Sequence, residues 1–150
     1  MDIETKAPFH ILLADDDADD RQFFAEAISE LDIAHVMTVF KDGAELMDFL
    51  QSTSETPNIL FLDLNMPRKT GLECLQEIRD EERLANLAIA IYSTSSSEKD
   101  IEASFLGGAD LYIKKPNDFA KLKKAIREVV NLYWKYHATG QKMETFVFSI

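Results

Sequence analysis

The sequence predicts an α/β fold: an open, doubly wound, five-stranded parallel sheet with helices on both faces, in three layers. Short apolar runs alternate with amphipathic stretches along the chain, which is typical of repeated strand–helix units. Several runs are apolar at every position, as expected for strands that are covered on both faces. Right-handed crossovers then leave few arrangements of the strands.

Five apolar runs are predicted to be strands, because each is too short for a helix. They span residues 9–14, 36–40, 59–62, 88–92 and 111–113. The stretches between and after them repeat apolar side chains at helical spacing, and the last keeps its stripe from Phe119 to Tyr133. Turn residues mark the helix limits, with Asp42-Gly43 before the second helix, Gly107-Gly108 after the fourth and Pro116-Asn117-Asp118 before the fifth.

Length and composition indicate one domain over residues 1–137 and a tail over residues 138–150. The chain has 150 residues, of which 46% are hydrophobic, so a core can form without disulfides. The single Cys74 excludes an internal disulfide and is expected to pack in the core. The tail lies outside the strand–helix alternation, and residues 146–148 are interpreted as an extra strand or a dimer contact.

Charge and hydropathy exclude several classes of function. Asp and Glu number 27 against 16 Lys and Arg, a net charge of −11, so the chain lacks the basic stripe that binds nucleic acid. The longest purely apolar run, residues 87–92, is far shorter than the ~20 residues of a membrane span, and the acidic first residues do not form a signal peptide. We therefore expect a cytoplasmic protein without nucleic-acid or membrane partners.

Chemically active side chains follow the ends of four predicted strands. Asp15 and Asp16 follow the first strand, Asp63 the third, Ser93 the fourth, and Lys115 lies just after the fifth. The carboxyl ends of parallel strands meet at one edge of the sheet, where such folds bind ligands. Three carboxylates at this edge would repel each other unless a cation lies between them, and Mg²⁺ suits an oxygen site with few protein ligands.

A carboxylate beside Mg²⁺ and a lysine can attack a phosphoryl group and form an aspartyl phosphate. The alternative is that these aspartates only cap the helices that follow. Capping is favoured for Asp17, Asp19 and Asp20, since acids in a first turn suit the helix dipole. It is a weak explanation for Asp63, because residues 65–67 separate it from the next helix.

Four segments of the chain resemble the response-regulator receiver domain. They occur in the order of that family, at the strand ends, and the similarity covers roughly residues 9–136. The family fold is a parallel sheet of strand order 2-1-3-4-5. The segments are Ile11-Leu12-Leu13-Ala14-Asp15-Asp16-Asp17, Leu60-Phe61-Leu62-Asp63-Leu64-Asn65-Met66-Pro67 with Gly71, Tyr92-Ser93-Thr94, and Gly108-Ala109-Asp110-Leu111-Tyr112-Ile113-Lys114-Lys115-Pro116.

The resemblance assigns a metal site and a phosphoacceptor. Asp63 matches the residue that takes a phosphoryl group from a histidine kinase or a histidine phosphotransfer protein. Asp15 and Asp16 match the acidic pair that binds Mg²⁺, Asp16 directly and Asp15 mainly through water. Asn65 would offer its backbone carbonyl to the metal.

The resemblance also implies a switch beside the phosphoacceptor. Ser93 matches the switch hydroxyl, and Lys115 matches the lysine that contacts the phosphoryl group. Tyr112 matches the aromatic switch whose ring turns inward on activation. The peptide before Pro116 is expected to be cis, as in the family, which fits the low cis penalty of proline.

The function implied is a stand-alone response regulator, which changes its contacts with a downstream protein when it is phosphorylated. Limited self-phosphorylation from small donors and self-hydrolysis are expected, rather than enzymatic turnover. The tail is loosely similar to the extension of single-domain receivers that partner bacterial phytochromes, where the last helix and tail support dimers. A basic face on the last helix is a natural contact for an acidic partner or a second copy, and comprises Lys121, Lys123, Lys124 and Arg127.

Other interpretations fit part of the pattern. A Mg²⁺-dependent phosphohydrolase of the haloacid dehalogenase type needs a second Asp two residues after its nucleophile, and Asn65 stands there. A phosphorylation-independent adaptor would keep the fold and lose the switch, which the intact site residues argue against. The basic segment of residues 68–70 either attracts a phosphorylated partner or forms a solvated loop.

Overall fold

The computed structural model describes residues 8–139 and 146–148 of the chain. Within them the sheet has six strands: β1 (Phe9–Ala14), β2 (His35–Phe40), β3 (Ile59–Leu62), β4 (Ala88–Ser93), β5 (Leu111–Lys114) and β6 (Phe146–Phe148). All neighbouring strands are parallel, in the order β2-β1-β3-β4-β5-β6. The predicted order of the first five strands is confirmed, and a sixth strand extends the sheet beside β5.

In the described part of the chain, five α-helices and a short 3-10 helix connect or follow the strands. All five α-helices begin at a side chain that accepts a hydrogen bond from the first turn, and these caps are Asp17, Asp42, Thr70, Ser97 and Asp118. Such caps satisfy backbone N–H groups that have no partner inside the helix. The α-helices are α1 (Ala18–Ser29), α2 (Gly43–Ser52), α3 (Gly71–Arg79), α4 (Glu98–Leu106) and α5 (Phe119–Thr139), and the 3-10 helix is Glu82–Leu84.

Each face of the sheet carries its own apolar core, as a doubly wound fold requires. Ile11 and Leu13 of β1 join the core beneath α1 and α5, whereas Leu12 and Ala14 join the core beneath α2 and α3. Every residue of β3 and β4 is buried. This two-sided burial is the physical reason for the unbroken apolar runs in the sequence.

The strands and the last helix extend slightly beyond the predicted limits. β2 starts at His35, β4 ends at Ser93 and β5 ends at Lys114, since backbone pairing continues through polar residues that carry no apolar signal. The backbone of β6 pairs with β5 from Phe146 to Phe148, so the tail does form a strand. The predicted dimer contact there stays a prediction, and residues 140–145 and 149–150 lie outside the described residues. Within the described ranges, no helix has the length and apolar character needed to cross a membrane.

Candidate phosphoacceptor and metal site

Backbone hydrogen bonds continue past the strand ends and fix the residues of the site. The Asp15 N–H donates to the carbonyl of the last residue of β2 (3.1 Å), and the Asp63 N–H donates to the Ala14 carbonyl (3.0 Å). On the other side, the Lys115 N–H donates to the Ser93 carbonyl (2.8 Å). The parallel pairing of the sheet therefore places these backbones at one edge.

Three carboxylates come together at this edge, as the sequence predicts. One oxygen from each of Asp15, Asp16 and Asp63 lies within 4.8 Å of the others; Asp15 and Asp63 are buried, and Asp16 is exposed. Among the described residues, Asp15 Oδ2 is a buried oxygen that makes no hydrogen bond. An all-oxygen set with a buried, unsatisfied carboxylate oxygen fits a hard divalent cation such as Mg²⁺.

Lys115 reaches into the same cluster from the end of β5. Its Nζ lies 2.8 Å from Asp15 Oδ2, in an ion pair without hydrogen-bond geometry, and 3.2 Å from Asp63 Oδ2. The third carboxylate partner is Asp20, whose Oδ2 is 2.9 Å from Nζ. With Asp16, the site holds four carboxylates and one ammonium, so it keeps an excess of negative charge that a divalent cation would offset.

Burial controls the pKa values of the two buried acids of the site, whereas the carboxylate partners control the pKa of the lysine. Burial raises the pKa of Asp15 to about 6, although Lys115 opposes the shift. Burial also raises the pKa of Asp63, again against the effect of Lys115. Burial lowers the pKa of Lys115, but the ion pair with Asp15 and the hydrogen bond to Asp20 outweigh burial and raise it. The lysine therefore stays charged, while the buried acids resist ionisation in the absence of a further cation.

The loop after Asp63 is held against the site by a close backbone approach. The Asn65 N–H donates to Asp63 Oδ1 (3.3 Å), and the Asn65 side chain is exposed. At Gly71, the first residue of α3, a Cβ would lie 2.2 Å from the Asp63 carbonyl oxygen. Only glycine allows α3 to start this close to the phosphoacceptor candidate.

The basic segment of this loop has local partners within the described structure. Arg68 adopts φ = 71°, a conformation that non-glycine residues rarely take, and its guanidinium lies 3.8 Å from buried Asp42. Lys69 pairs with Glu77 of α3. Because these basic side chains already pair with acids of the same chain, the contacts favour a solvated loop over a segment that attracts a phosphorylated partner.

Ser93 and Tyr112 lie on the neighbouring strands β4 and β5, where Ser93 pairs with Lys114 and Tyr112 with Ile91. Ser93 is fully buried, and its Oγ accepts a hydrogen bond from the Ser95 N–H (3.2 Å). Tyr112 is 1% exposed, so its ring already points inward, and its hydroxyl donates to the Ser95 carbonyl (2.9 Å). Burial raises the pKa of Tyr112, so this hydroxyl acts as a donor at neutral pH.

Capping explains Asp17 but not Asp20. The Asp17 side chain accepts from the N–H groups of Asp19 and Asp20 and starts α1, as predicted. Asp20 in addition reaches Lys115, 95 residues away in sequence, which sequence reasoning missed. The sequence did contain one signal for this contact: Asp20 lies in the first turn of the helix that follows the acidic pair.

The prediction of a cis peptide before Pro116 is wrong. Within the described residues the structure has no cis peptide bond, and the bond from Lys115 to Pro116 is trans. Cis and trans X–Pro bonds differ by only about 0.5–1 kcal/mol, so the surrounding fold decides between them and a sequence match cannot.

A doubly wound parallel sheet with an acidic trio and a lysine at its carboxyl edge defines a class of domain that can carry a phosphoryl group on an aspartate. The family comparison agrees with this class, since the response regulator receiver domain matches residues 11–127. The chain belongs to this family and is a phosphoacceptor response regulator.

Relatives match the chain over most of their own length. Response regulator Rcp1 of Synechocystis sp. is 31% identical over an alignment of 139 positions that covers 89% of this chain and 94% of that protein. The crystal structure of the phosphorylated cyanobacterial phytochrome response regulator RcpA has a TM-score of 0.78 at 28% identity and covers 85% of this chain and 94% of that one. The Mn²⁺-bound form of Rcp1 has a TM-score of 0.75 at 30% identity, with coverage of 84% and 94%.

Proposed function

We propose that Asp63 accepts a phosphoryl group from the phosphohistidine of a sensor kinase or of a histidine phosphotransfer protein. A carboxylate oxygen of Asp63 attacks phosphorus, the P–N bond breaks, and the imidazole leaves with a proton from solvent. The observation that carries this proposal is the position of Asp63, buried beside two further carboxylates and 3.2 Å from Lys115 Nζ. An acid with no such surroundings would be a poor nucleophile for phosphorus.

The resident metal is proposed to be Mg²⁺, held by Asp15, Asp16, Asp63 and the backbone carbonyl of Asn65. When bound, this ion supplies positive charge to the oxygens of the transferring phosphoryl group. Lys115, whose Nζ lies 3.2 Å from Asp63 Oδ2, would add a second positive charge, and Ser93 would donate its hydroxyl proton to a phosphoryl oxygen. The Mn²⁺-bound form of a relative supports a divalent ion.

Phosphorylation is proposed to change a protein-binding surface through Ser93 and Tyr112. The Tyr112 hydroxyl is hydrogen-bonded to Ser95, in the loop between β4 and α4. A movement of Ser93 toward a phosphoryl group would move this loop and, with it, the surface of α4, β5 and α5. A downstream protein would read that change.

A sensor kinase of the phytochrome class is the proposed phosphodonor, in the cytoplasm where such a kinase has access to ATP. The support is the similarity to regulators whose names include phytochrome, over 94% of the length of the matched RcpA chain. Phosphate transfer from a purified phytochrome kinase, compared with a kinase from another pathway, tests the choice of donor.

The phosphoacceptor is tested with Mg²⁺ and acetyl phosphate, followed by intact mass. One phosphoryl group should appear on the unmodified chain, stable in acid and labile in base, and none on Asp63→Asn. Asp48→Asn, at an exposed carboxylate of α2, is the matched control and should behave like the unmodified chain. Equal incorporation in Asp63→Asn would contradict the assignment.

Two further measurements separate the other classes of function. Rapid multiple turnover of a phosphate ester would favour a phosphohydrolase, but Asn65 lacks the acid group that such enzymes need at this position. Normal signalling in cells by Asp63→Asn would favour a phosphorylation-independent adaptor.

We also propose that the tail supports a homodimer. β6 extends the sheet beside β5, next to the surface that is expected to change on phosphorylation. Light scattering should show a dimer for the full chain and a monomer for a chain that ends after Thr139. A monomer in both forms would remove the dimer from the proposal.

A further inference from the structure

We infer that Asp20 is a positioning residue for phosphoryl transfer: it holds the Lys115 ammonium beside Asp63. This inference rests on the proposed function of Asp63. It assigns a role to a carboxylate that belongs neither to the acidic pair nor to the phosphoacceptor, and that the sequence suggested only as a capping residue.

The contact between Asp20 and Lys115 joins two fixed backbones. Asp20 Oδ2 accepts a hydrogen bond from Lys115 Nζ at 2.9 Å. The Asp20 N–H is bound to the capping side chain of Asp17 at 3.0 Å, and the Lys115 N–H is bound to Ser93. The lysine side chain is 9% exposed, so its ammonium has little access to water as an alternative partner.

Asp20 differs from the other partners of this ammonium. Asp15 and Asp63 belong to the trio whose oxygens can hold a metal, whereas Asp20 does not. A cation and a lysine would compete for the oxygens of Asp15 and Asp63, while Asp20 stays available to the lysine alone. A long lysine side chain loses rotamer entropy when it is ordered, and a preformed partner supplies part of this ordering before phosphorylation.

The sign of the effect separates positioning from simple electrostatics. A carboxylate near an incoming anion repels it, so removal of the Asp20 charge alone would strengthen the binding of a phosphoryl analogue. Loss of a positioning contact would weaken the same binding, because Lys115 would no longer be held beside Asp63. The two explanations therefore predict changes in opposite directions.

The first test measures Mg²⁺-dependent binding of beryllofluoride by ¹⁹F NMR. We expect Asp20→Asn to bind it about three- to fivefold more weakly, the range of a partly exposed ion pair. Asp20→Glu should recover part of the affinity, since a carboxylate is restored. Asp19→Asn is the matched control, because it removes the same charge at an exposed neighbour, and it should bind as the unmodified chain does or slightly more tightly.

The second test asks whether Asp20 acts through the lysine. In a Lys115→Met background, Asp20→Asn should cause no further loss of affinity, as a double-mutant cycle requires for a shared contact. Binding that is unchanged or tighter in Asp20→Asn, or an equal loss in both backgrounds, would overturn the inference.

A metal-free measurement keeps the inference apart from the proposed function. In protein labelled with ¹⁵N-lysine, the ammonium protons of Lys115 should exchange with water several-fold faster in Asp20→Asn than in the unmodified chain. Their exchange rate should be unchanged in Asp19→Asn. If the unmodified chain binds no beryllofluoride, the function of Asp63 fails, while this exchange rate still reports whether Asp20 holds Lys115. An equal exchange rate in Asp20→Asn and the unmodified chain overturns the inference.

Discussion

Asp15 is a fully buried acid at a position where its charge has a large energetic cost. Its Oδ1 accepts a hydrogen bond from the Asp17 N–H at 3.0 Å, and its Oδ2 lies 2.8 Å from the Lys115 ammonium. That ammonium is shared with Asp20 and Asp63, so Asp15 is poorly compensated. A buried carboxylate of this kind lowers the free energy of unfolding of the metal-free chain, and it provides an oxygen to which a cation can bind.

Asp15→Asn is expected to stabilise the metal-free protein, in a way that depends on pH. The pKa of Asp15 is raised to about 6 in the folded chain, so the native state holds the proton more tightly than the unfolded chain. Stability from this group is therefore full below about pH 4 and is lost as pH rises through about 6. Urea unfolding should show no difference from the unmodified chain near pH 4 and a gain of about 1–3 kcal/mol at pH 7.

The comparison between variants removes the contribution of the other acids. Asp48→Asn, which alters an exposed carboxylate, should differ from the unmodified chain by the same small amount at each pH. A gain for Asp15→Asn that shrinks as pH rises would show that burial does not control this carboxyl.

At the scale of the element, α3 ties the phosphoacceptor loop to the rest of the fold. Thr70 and Glu73 form a reciprocal capping box: Thr70 Oγ1 accepts from the Glu73 N–H (3.2 Å), and Glu73 Oε1 accepts from the Thr70 N–H (2.9 Å). The hydrogen bonds with Thr70 lower the pKa of Glu73, as expected for a charged cap. The next residue, Gly71, makes the close approach to Asp63 described above.

Removal of this cap should destabilise the folded chain without altering the side chains of the phosphoacceptor and metal site. Thr70→Ala is expected to lower the free energy of unfolding by about 1 kcal/mol, because the Glu73 backbone N–H loses the hydroxyl that accepts its hydrogen bond. Thr70→Ser keeps the hydroxyl and should lose much less. Urea unfolding of both variants measures the difference, and equal losses would show that the cap is not the source.

At the scale of the whole molecule, acids are concentrated where the strands end. The chain has a net charge of −11, and 16 of its 27 acids lie in residues 1–75, against 5 of its 16 bases. Part of this excess forms the acidic trio and the carboxylate partners of Lys115. A cation that binds there would stabilise the folded state, since the unfolded chain cannot assemble the site.

Mg²⁺ is therefore expected to raise the thermal stability of the chain. At a concentration 100-fold above its dissociation constant, one bound ion stabilises by about 2.7 kcal/mol. Asp16→Asn should lose most of this gain, and Asp19→Asn, at an exposed acid outside the trio, should keep it. Calorimetry at matched ionic strength separates binding from screening of the net charge, and an equal gain from Na⁺ would exclude a specific site.

Local patterns determined most of the fold and the composition of the site. Five strands and the helix caps Asp17 and Asp42 follow from apolar periodicity and capping chemistry, whereas the order of the strands was implied by the resemblance to the receiver family. The trio at one edge was also predictable, because parallel strands bring residues after their carboxyl ends together whatever the loops do.

The tertiary structure alone decided which side chains pair across the site. The contact of Asp20 with Lys115 spans 95 residues, and the partners of Arg68 and Lys69 come from other elements. The isomer of the bond before Pro116 depends on its surroundings in the same way. Periodicity reports which face of an element is buried, whereas the reach of a long polar side chain depends on the packing of elements that are distant in sequence.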